Sequence, residues 1–304
     1  MSNVTECYAT GMILKGGVIM FLSKQLCLCT VLMSVTMTCI AEVPMRIHTE
    51  RTLDADGPKQ GQSAYDLIRA FGGSNPIESP DLYPENHPSH SHIFEETDDQ
   101  VGHHFKFVLH RDKDRDRDKL NITDRQRNEI KAYGGSEKAL KAYQGETFEY
   151  RWKFKLDGDF AVSKHFTHVF QLKSVDDGPG SPIFAFTARK RYGEDVLEVG
   201  HAPIKRAHVI ASHTLADIRG EWLSVVFRVT YANVGQASVS VKRLRDGKSI
   251  IELAPTNIDT WRGTEPEHFV RPKWGIYRSL KDIERLRAGE ESARFANFVV
   301  RELR

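Results

Sequence analysis

The chain has 304 residues, with 43 Lys and Arg against 41 Asp and Glu, a formal net charge of +2. That balance excludes a protein that gathers nucleic acid through a global field, so any anionic ligand must be held by a local basic cluster. A hydrophobic fraction of 40% with 28% charged residues can build a real core and excludes wholesale disorder.

The N-terminus reads as a leader. Lys15 and Lys24 flank an apolar stretch, Leu26–Ile40 carries no charge, and Cys39-Ile40-Ala41 precedes Glu42. A basic region, a short apolar run and a small residue before a polar one form a secretory signal pattern. The run is too short and too rich in Thr and Ser for a good membrane span. Residues 1–41 are therefore expected to be a signal peptide, with Met20 a more typical start than Met1. The mature chain is expected to begin near Glu42, secreted or periplasmic, with no stable membrane insertion. All four cysteines (Cys7, Cys27, Cys29, Cys39) lie in the leader, so the mature chain has no disulfide, thiolate nucleophile or Cys-ligated zinc.

Residues 42–99 read as a loop-rich extension packed on the main domain. Ser63–Phe71 has helical apolar spacing and stops at Gly72-Gly73; the stretch to His92 is rich in Pro, Ser, Asn and His. From Val101 the period becomes two, with Phe105, Phe107 and Leu109 alternating with polar neighbours. Further strands are predicted at Thr147–Leu156, Phe166–Lys173, Ile183–Lys190, Val196–His201, Glu221–Ala232, Ala237–Leu244, Trp274–Arg278 and Arg294–Leu303, and a small helix at Ser136–Tyr143. Turn signals such as Asp157-Gly158 and Asp246-Gly247 separate them. Many short alternating strands without βαβ spacing predict an all-β antiparallel sandwich over residues 100–304.

Several candidate sites are set aside. Arg111–Lys119 alternates sign, and Asp112, Asp114 and Asp116 open like a calcium loop, but Arg117 stands where that loop needs Gly and Thr123 where it needs Glu. It reads as a solvated, self-paired loop. His103-His104 and His87/His90/His92 lack a helical pair or a carboxylate triad nearby, so no metal is expected. No G-x-S-x-G, P-loop or G-x-G-x-x-G is present, nor the E-x-D-x-x-E strand of sandwich glycoside hydrolases.

Three strand-like segments remain. Arg125, Arg127, Glu129 and Lys131 share one face; His165, Gln171 and Lys173 share another, with His168 turned away unless a bulge intervenes; Lys273, Gly275 and Tyr277 share a third. Cations, an amide, a tyrosine and a histidine suit a chain of carboxylated sugars.

In this order the segments resemble the strand motifs of jelly-roll polysaccharide lyases, the R-T-E-L-R, Q-I-H and Y-F-K-A-G-V-Y-N-Q of alginate lyases. Arg127-Asn128-Glu129-Ile130-Lys131 is similar to the first, Gln171-Leu172-Lys173 to the second, and the segment from Val270 through Lys273 and Tyr277 to Ser279 to the third. Trp222 and Phe295-Ala296-Asn297-Phe298 look closer to the heparin lyase and glucuronan lyase branch.

The resemblance implies a concanavalin A-like β-jelly roll and β-elimination next to a uronate. Arg127 and Gln171 match the positions that neutralise the uronate carboxylate, which stabilises the dianion left when the C5 proton departs. Tyr277 matches the tyrosine that protonates the leaving O4, with Lys273 expected beside the phenol to favour its ionised form. Lys173 replaces the family histidine, so either Tyr277 performs both transfers or another histidine is the base, and His110, which ends the Phe105–Leu109 strand, is expected to be that base. Lys273, Lys173, Arg125, Glu129, Lys131, His165 and Arg278 are expected to bind substrate. The expected partner is an anionic polysaccharide, not nucleic acid, acted on by a monomer without a cofactor, a calcium requirement being left open. A lectin-like sandwich without catalysis is the alternative.

Overall fold

A computed structural model describes residues 45–178, 180–203 and 207–304; the expected signal peptide lies outside them. The described chain folds into sixteen strands and one α-helix. In chain order these are β1 (Ile47–Leu53), α1 (Ala64–Gly72), β2 (Ile77–Glu78), β3 (Ile93–Asp98), β4 (Gly102–His110), β5 (Arg125–Lys131), β6 (Thr147–Leu156), β7 (Thr167–Val175), β8 (Phe184–Arg191), β9 (Glu194–His201), β10 (His208–Thr214), β11 (Leu223–Thr230), β12 (Gly235–Arg243), β13 (Ser249–Leu253), β14 (Thr256–Ile258), β15 (Phe269–Ser279) and β16 (Glu290–Leu303). No helix among the described residues is long and apolar enough to cross a membrane.

The strands form two antiparallel sheets. One runs β13-β12-β11-β6-β16-β4-β3, with β1 added to β16 and β14 to β12; the other runs β10-β9-β8-β7-β15-β5-β2. This is the expected all-β jelly-roll sandwich. Period-two alternation creates it: in β6, Phe148, Tyr150, Trp152 and Phe154 turn inward while Arg151, Lys153 and Lys155 turn outward. Inward aromatics from the two sheets then interdigitate. Trp152 of β6 stacks on Phe170 of β7 with ring centres 4.2 Å apart, and Trp274 of β15 meets Phe298 of β16 edge-on at 5.2 Å.

Residues 45–99 are more than packing. They supply β1, β2 and β3, which pair with β16, β5 and β4, so no structural break falls at the expected boundary near residue 100. The helix forms as predicted, with the Ser63 side chain accepting from the Asp66 amide and Gly73 at φ 75° ending it. The predicted helix at Ser136–Tyr143 is only a short turn, Lys138–Leu140.

Two irregularities shape the second sheet. The β7 register slips between His168 and Phe170, so Val169 and Phe170 both turn into the core. The β15 register slips against β7 between Trp274 and Tyr277. Gly275 lies in that stretch at φ 135°, where a Cβ would sit 2.2 Å from the Asn128 carbonyl oxygen. Only glycine permits this approach of β15 to β5.

Candidate active site

The three motif strands are neighbours, in the order β7-β15-β5. Tyr277 pairs with Arg127 on one side and His168 on the other, and Lys273 with Lys131 and Gln171. Arg127, Gln171, Lys273 and Tyr277 therefore share the outer face of the second sheet, while Trp274 and Ile276 point into the core.

Most of these polar groups are already occupied. Glu129 is fully buried, and its carboxylate accepts from Arg127 Nη1 (2.7 Å), Gln171 Nε2 (2.5 Å) and Lys273 Nζ (2.6 Å). Glu78, delivered by β2, takes Lys273 (2.5 Å), Lys131 (2.8 Å), Arg117 (2.7 Å) and Arg127 (3.3 Å). Asp116 chelates Arg127 through Nε (2.7 Å) and Nη2 (3.3 Å). Four cations thus interlock with three carboxylates, leaving a buried platform with one positive charge in excess. Burial alone would raise Glu78 and Glu129, but Lys273 and Arg127 outweigh it and hold both below the ordinary carboxylate range. Burial, reinforced by Arg127, lowers Lys273 to about 8.

Several expected substrate contacts are corrected by this network. Glu129 and Lys131 are buried and paired within it, as are Arg127 and Gln171. Lys273 reaches Glu78 and Glu129 rather than the phenol. Arg278 faces inward, fully buried, with Nε donating to Gln126 at 2.7 Å and Nη1 3.7 Å from Glu291. His165 precedes β7 and turns to Asp282 at 3.7 Å. The physical reason is common to the paired groups: β2 and the strap between β4 and β5 bring acidic side chains that sequence alternation along a single strand cannot show. Removing one partner of such a buried set leaves charge uncompensated. Lys273→Ala is expected to lower stability by about 3–5 kcal/mol, measured as the shift of the denaturant midpoint; a shift within error would mean the platform does not hold the sheet.

What stays open surrounds Tyr277. Its hydroxyl accepts from Arg125 Nη1 at 3.0 Å, and the Arg127 guanidinium lies 3.6 Å over its ring centre. Arg125, anchored by Asp124, is partly exposed, as is Lys173, whose ammonium is lowered to about 8 by burial and by Arg127 and Arg271. On the other side of the phenol stand Phe166 and His168, with ring centres 5.0 and 6.0 Å away. The β7 bulge is what turns His168 to this face. Its Nδ1 is 2.8 Å from Thr187 Oγ1. Burial, together with Arg127, Lys273 and Arg189, holds the imidazole near 4 against the pull of Glu129, so it is neutral at ordinary pH.

His110 is not part of this arrangement. It ends β4 in the other sheet, with Nδ1 3.3 Å from His92 and Nε2 3.7 Å from Glu290, which corrects its expected role as base. The histidine that stands beside Tyr277 is His168. The signal for it was the pair of consecutive apolar residues Val169-Phe170, which breaks the alternation of the strand.

A cavity of about 350 Å³ opens from Phe166 and His168 across β8 and β9, past Thr187, Arg189 and Arg191. That is at the lower end of the range for small-ligand sites, about 300–1,000 Å³.

A family model described as polysaccharide lyase matches residues 90–298. Among solved structures, an endo-β-1,4-glucuronan lyase from the fungus Trichoderma reesei has TM-score 0.50 and 13% identity, covering 84% of this chain and 95% of that one. The alginate lyase Aly36B has TM-score 0.56 and 10% identity, with 84% and 98% covered. A marine alginate lyase from Aplysia kurodai has 0.52 and 12%, with 82% and 97% covered. No curated protein matches. At these identities the structural likeness establishes the sandwich, and the family match spans more than half of the sequence. The chain belongs to the polysaccharide lyase family.

Proposed function

We propose that this is an exported lyase that opens an anionic, uronate-containing polysaccharide by β-elimination. The observation that carries the reading is the placement of Tyr277 between Arg125 and His168, the second of which lines the cavity. The glucuronan lyase and alginate lyases that share its sandwich are named for such polymers.

In this reading the uronate lies over Tyr277. Arg125, the accessible cation beside the phenol, takes its carboxylate, and the buried platform below adds a fixed positive field. Neutral His168 removes the C5 proton; this requires the tautomer in which Nδ1–H donates to Thr187 and Nε2 carries the lone pair. The electron pair forms the C4–C5 double bond, the C4–O4 bond breaks, and the Tyr277 hydroxyl protonates O4. Arg125 is aimed at the oxygen on which charge is then left. Arg127 and Gln171 act from below, Arg127 by holding the phenol ring and Gln171 by fixing Glu129.

The test is incubation of purified protein with polyglucuronate, alginate and sulfated uronic polymers, following the ultraviolet absorbance of the unsaturated product. Growth of that absorbance on at least one polymer is expected. Binding without it on every polymer would overturn the reading in favour of a lectin.

A further inference from the structure

Away from Tyr277, His87, His92, His110 and Asp114 converge, with all four donor atoms within 4.8 Å of one another. His92 and Asp114 are fully buried, and His87 and His110 largely so. The distances follow one geometry. A tetrahedral ion with bonds of about 2.0–2.1 Å separates its ligand atoms by about 3.3 Å. Here His92 Nε2 is 3.3 Å from His110 Nδ1 and 3.1 Å from both Asp114 oxygens, His87 Nδ1 is 2.8 Å from Asp114 Oδ1, and His110 Nδ1 is 3.6 Å from Oδ2. The imidazole planes of His87, His92 and His110 stand nearly perpendicular, at 79°, 87° and 88°, so three nitrogens approach one point from different directions.

The surroundings favour ligation as well. His92 Nδ1 lies 2.5 Å from the His90 carbonyl oxygen and 3.4 Å from Asp81. A carbonyl only accepts, so Nδ1 carries the proton, and in the neutral ring the Nε2 lone pair faces a carboxylate. Something positive must lie between them, a second proton or a metal ion. Backing of a ligand imidazole by a carbonyl and a carboxylate is the usual outer shell of a metal site. Asp81 is itself held by Tyr65 Oη at 2.6 Å, and the His110 amide donates to Asp114 Oδ2 at 2.6 Å.

We infer that His87, His92, His110 and Asp114 bind one tetrahedral divalent transition ion of the zinc type. Three imidazoles and one carboxylate fill the coordination sphere, so the ion is structural, not catalytic. It clamps the segment before β3 and the end of β4 to the strap at Asp114, two residues from the Asp116 that chelates Arg127.

The test is metal content and binding on the whole chain, stripped with chelator and dialysed against Zn²⁺ or Co²⁺ alone. One ion per chain is expected, with the intense visible bands of tetrahedral Co²⁺ and a higher melting temperature with metal than without. Asp114→Asn and His110→Ala should lose the bands. Should either fail to fold, His87→Gln and Asp81→Asn carry the test, the latter with affinity reduced about 10–100-fold while His103→Ala keeps it. No retained ion and no metal-dependent melting would overturn the inference and leave a proton between His92 and Asp114. Weak octahedral bands indifferent to these substitutions would overturn it equally.

Discussion

Tyr277→Phe is expected to bind polysaccharide almost as the parent does and to lose at least about a hundredfold in kcat, since a positioned proton donor contributes roughly 10²–10⁴. The ring is held on the platform side by Arg127 at 3.6 Å and laterally by Phe166, and phenylalanine retains both contacts. Only the hydroxyl and its bond from Arg125 disappear. The loss should therefore fall on kcat and leave KM within about twofold, the pattern of a group that acts in the transition state. Arg125→Met separates the roles. It removes both an accessible cation and the donor to the phenol, so KM should rise as kcat falls. Ordinary turnover by Tyr277→Phe, measured by product absorbance at saturating polymer, would remove this residue from the chemistry.

A comparable loss of about 10²–10⁴ is expected for His168→Gln. Because burial holds His168 near 4, a base at this position is already free of its proton in mildly acidic solution. The acid limb of kcat/KM should thus fall as pH drops through about 4, well below the ordinary histidine value of about 6.5. The same depression links to stability. The contribution is fully present above about 6.5 and is lost as pH falls through about 4, because the unfolded chain binds the proton first. Thr187→Val tests orientation separately, since it deletes the partner of Nδ1 and keeps the imidazole. Its kcat should fall about tenfold or more with little change in KM. An acid limb near 6.5, or unimpaired His168→Gln, would return both proton transfers to Tyr277.

The parts of this molecule that follow a local rule were legible. β6 runs over the ten residues its aromatic alternation predicts, and all three motif segments form strands of the sandwich. The missing parts depend on partners far along the chain. Arg127 meets Glu78 from 49 residues away, and Arg117 meets it from 39, so the alternating charges of Arg111–Lys119 looked able to satisfy themselves. Instead Asp114 and Asp116 are buried among histidines and arginine. The histidines of residues 87–92 lacked a visible carboxylate for the same reason, because Asp114 arrives 22 residues after His92. His168 was misplaced by one bulge, which reverses the facing of a side chain without changing the composition around it.

The interlocked carboxylates and cations beneath Tyr277 also divide the response to ionic strength. Charges at the surface, such as Arg125 and Lys173, are screened over a Debye length of about 8–10 Å near physiological salt, whereas buried ones are screened far less. Added sodium chloride should thus loosen capture of the polymer and raise KM. The field acting on a uronate already seated is built into the protein interior, so turnover at saturation should hardly change. An enzyme of this construction loses grip before speed in brine, and in dense anionic polymer, where local substrate stays high, it would keep working.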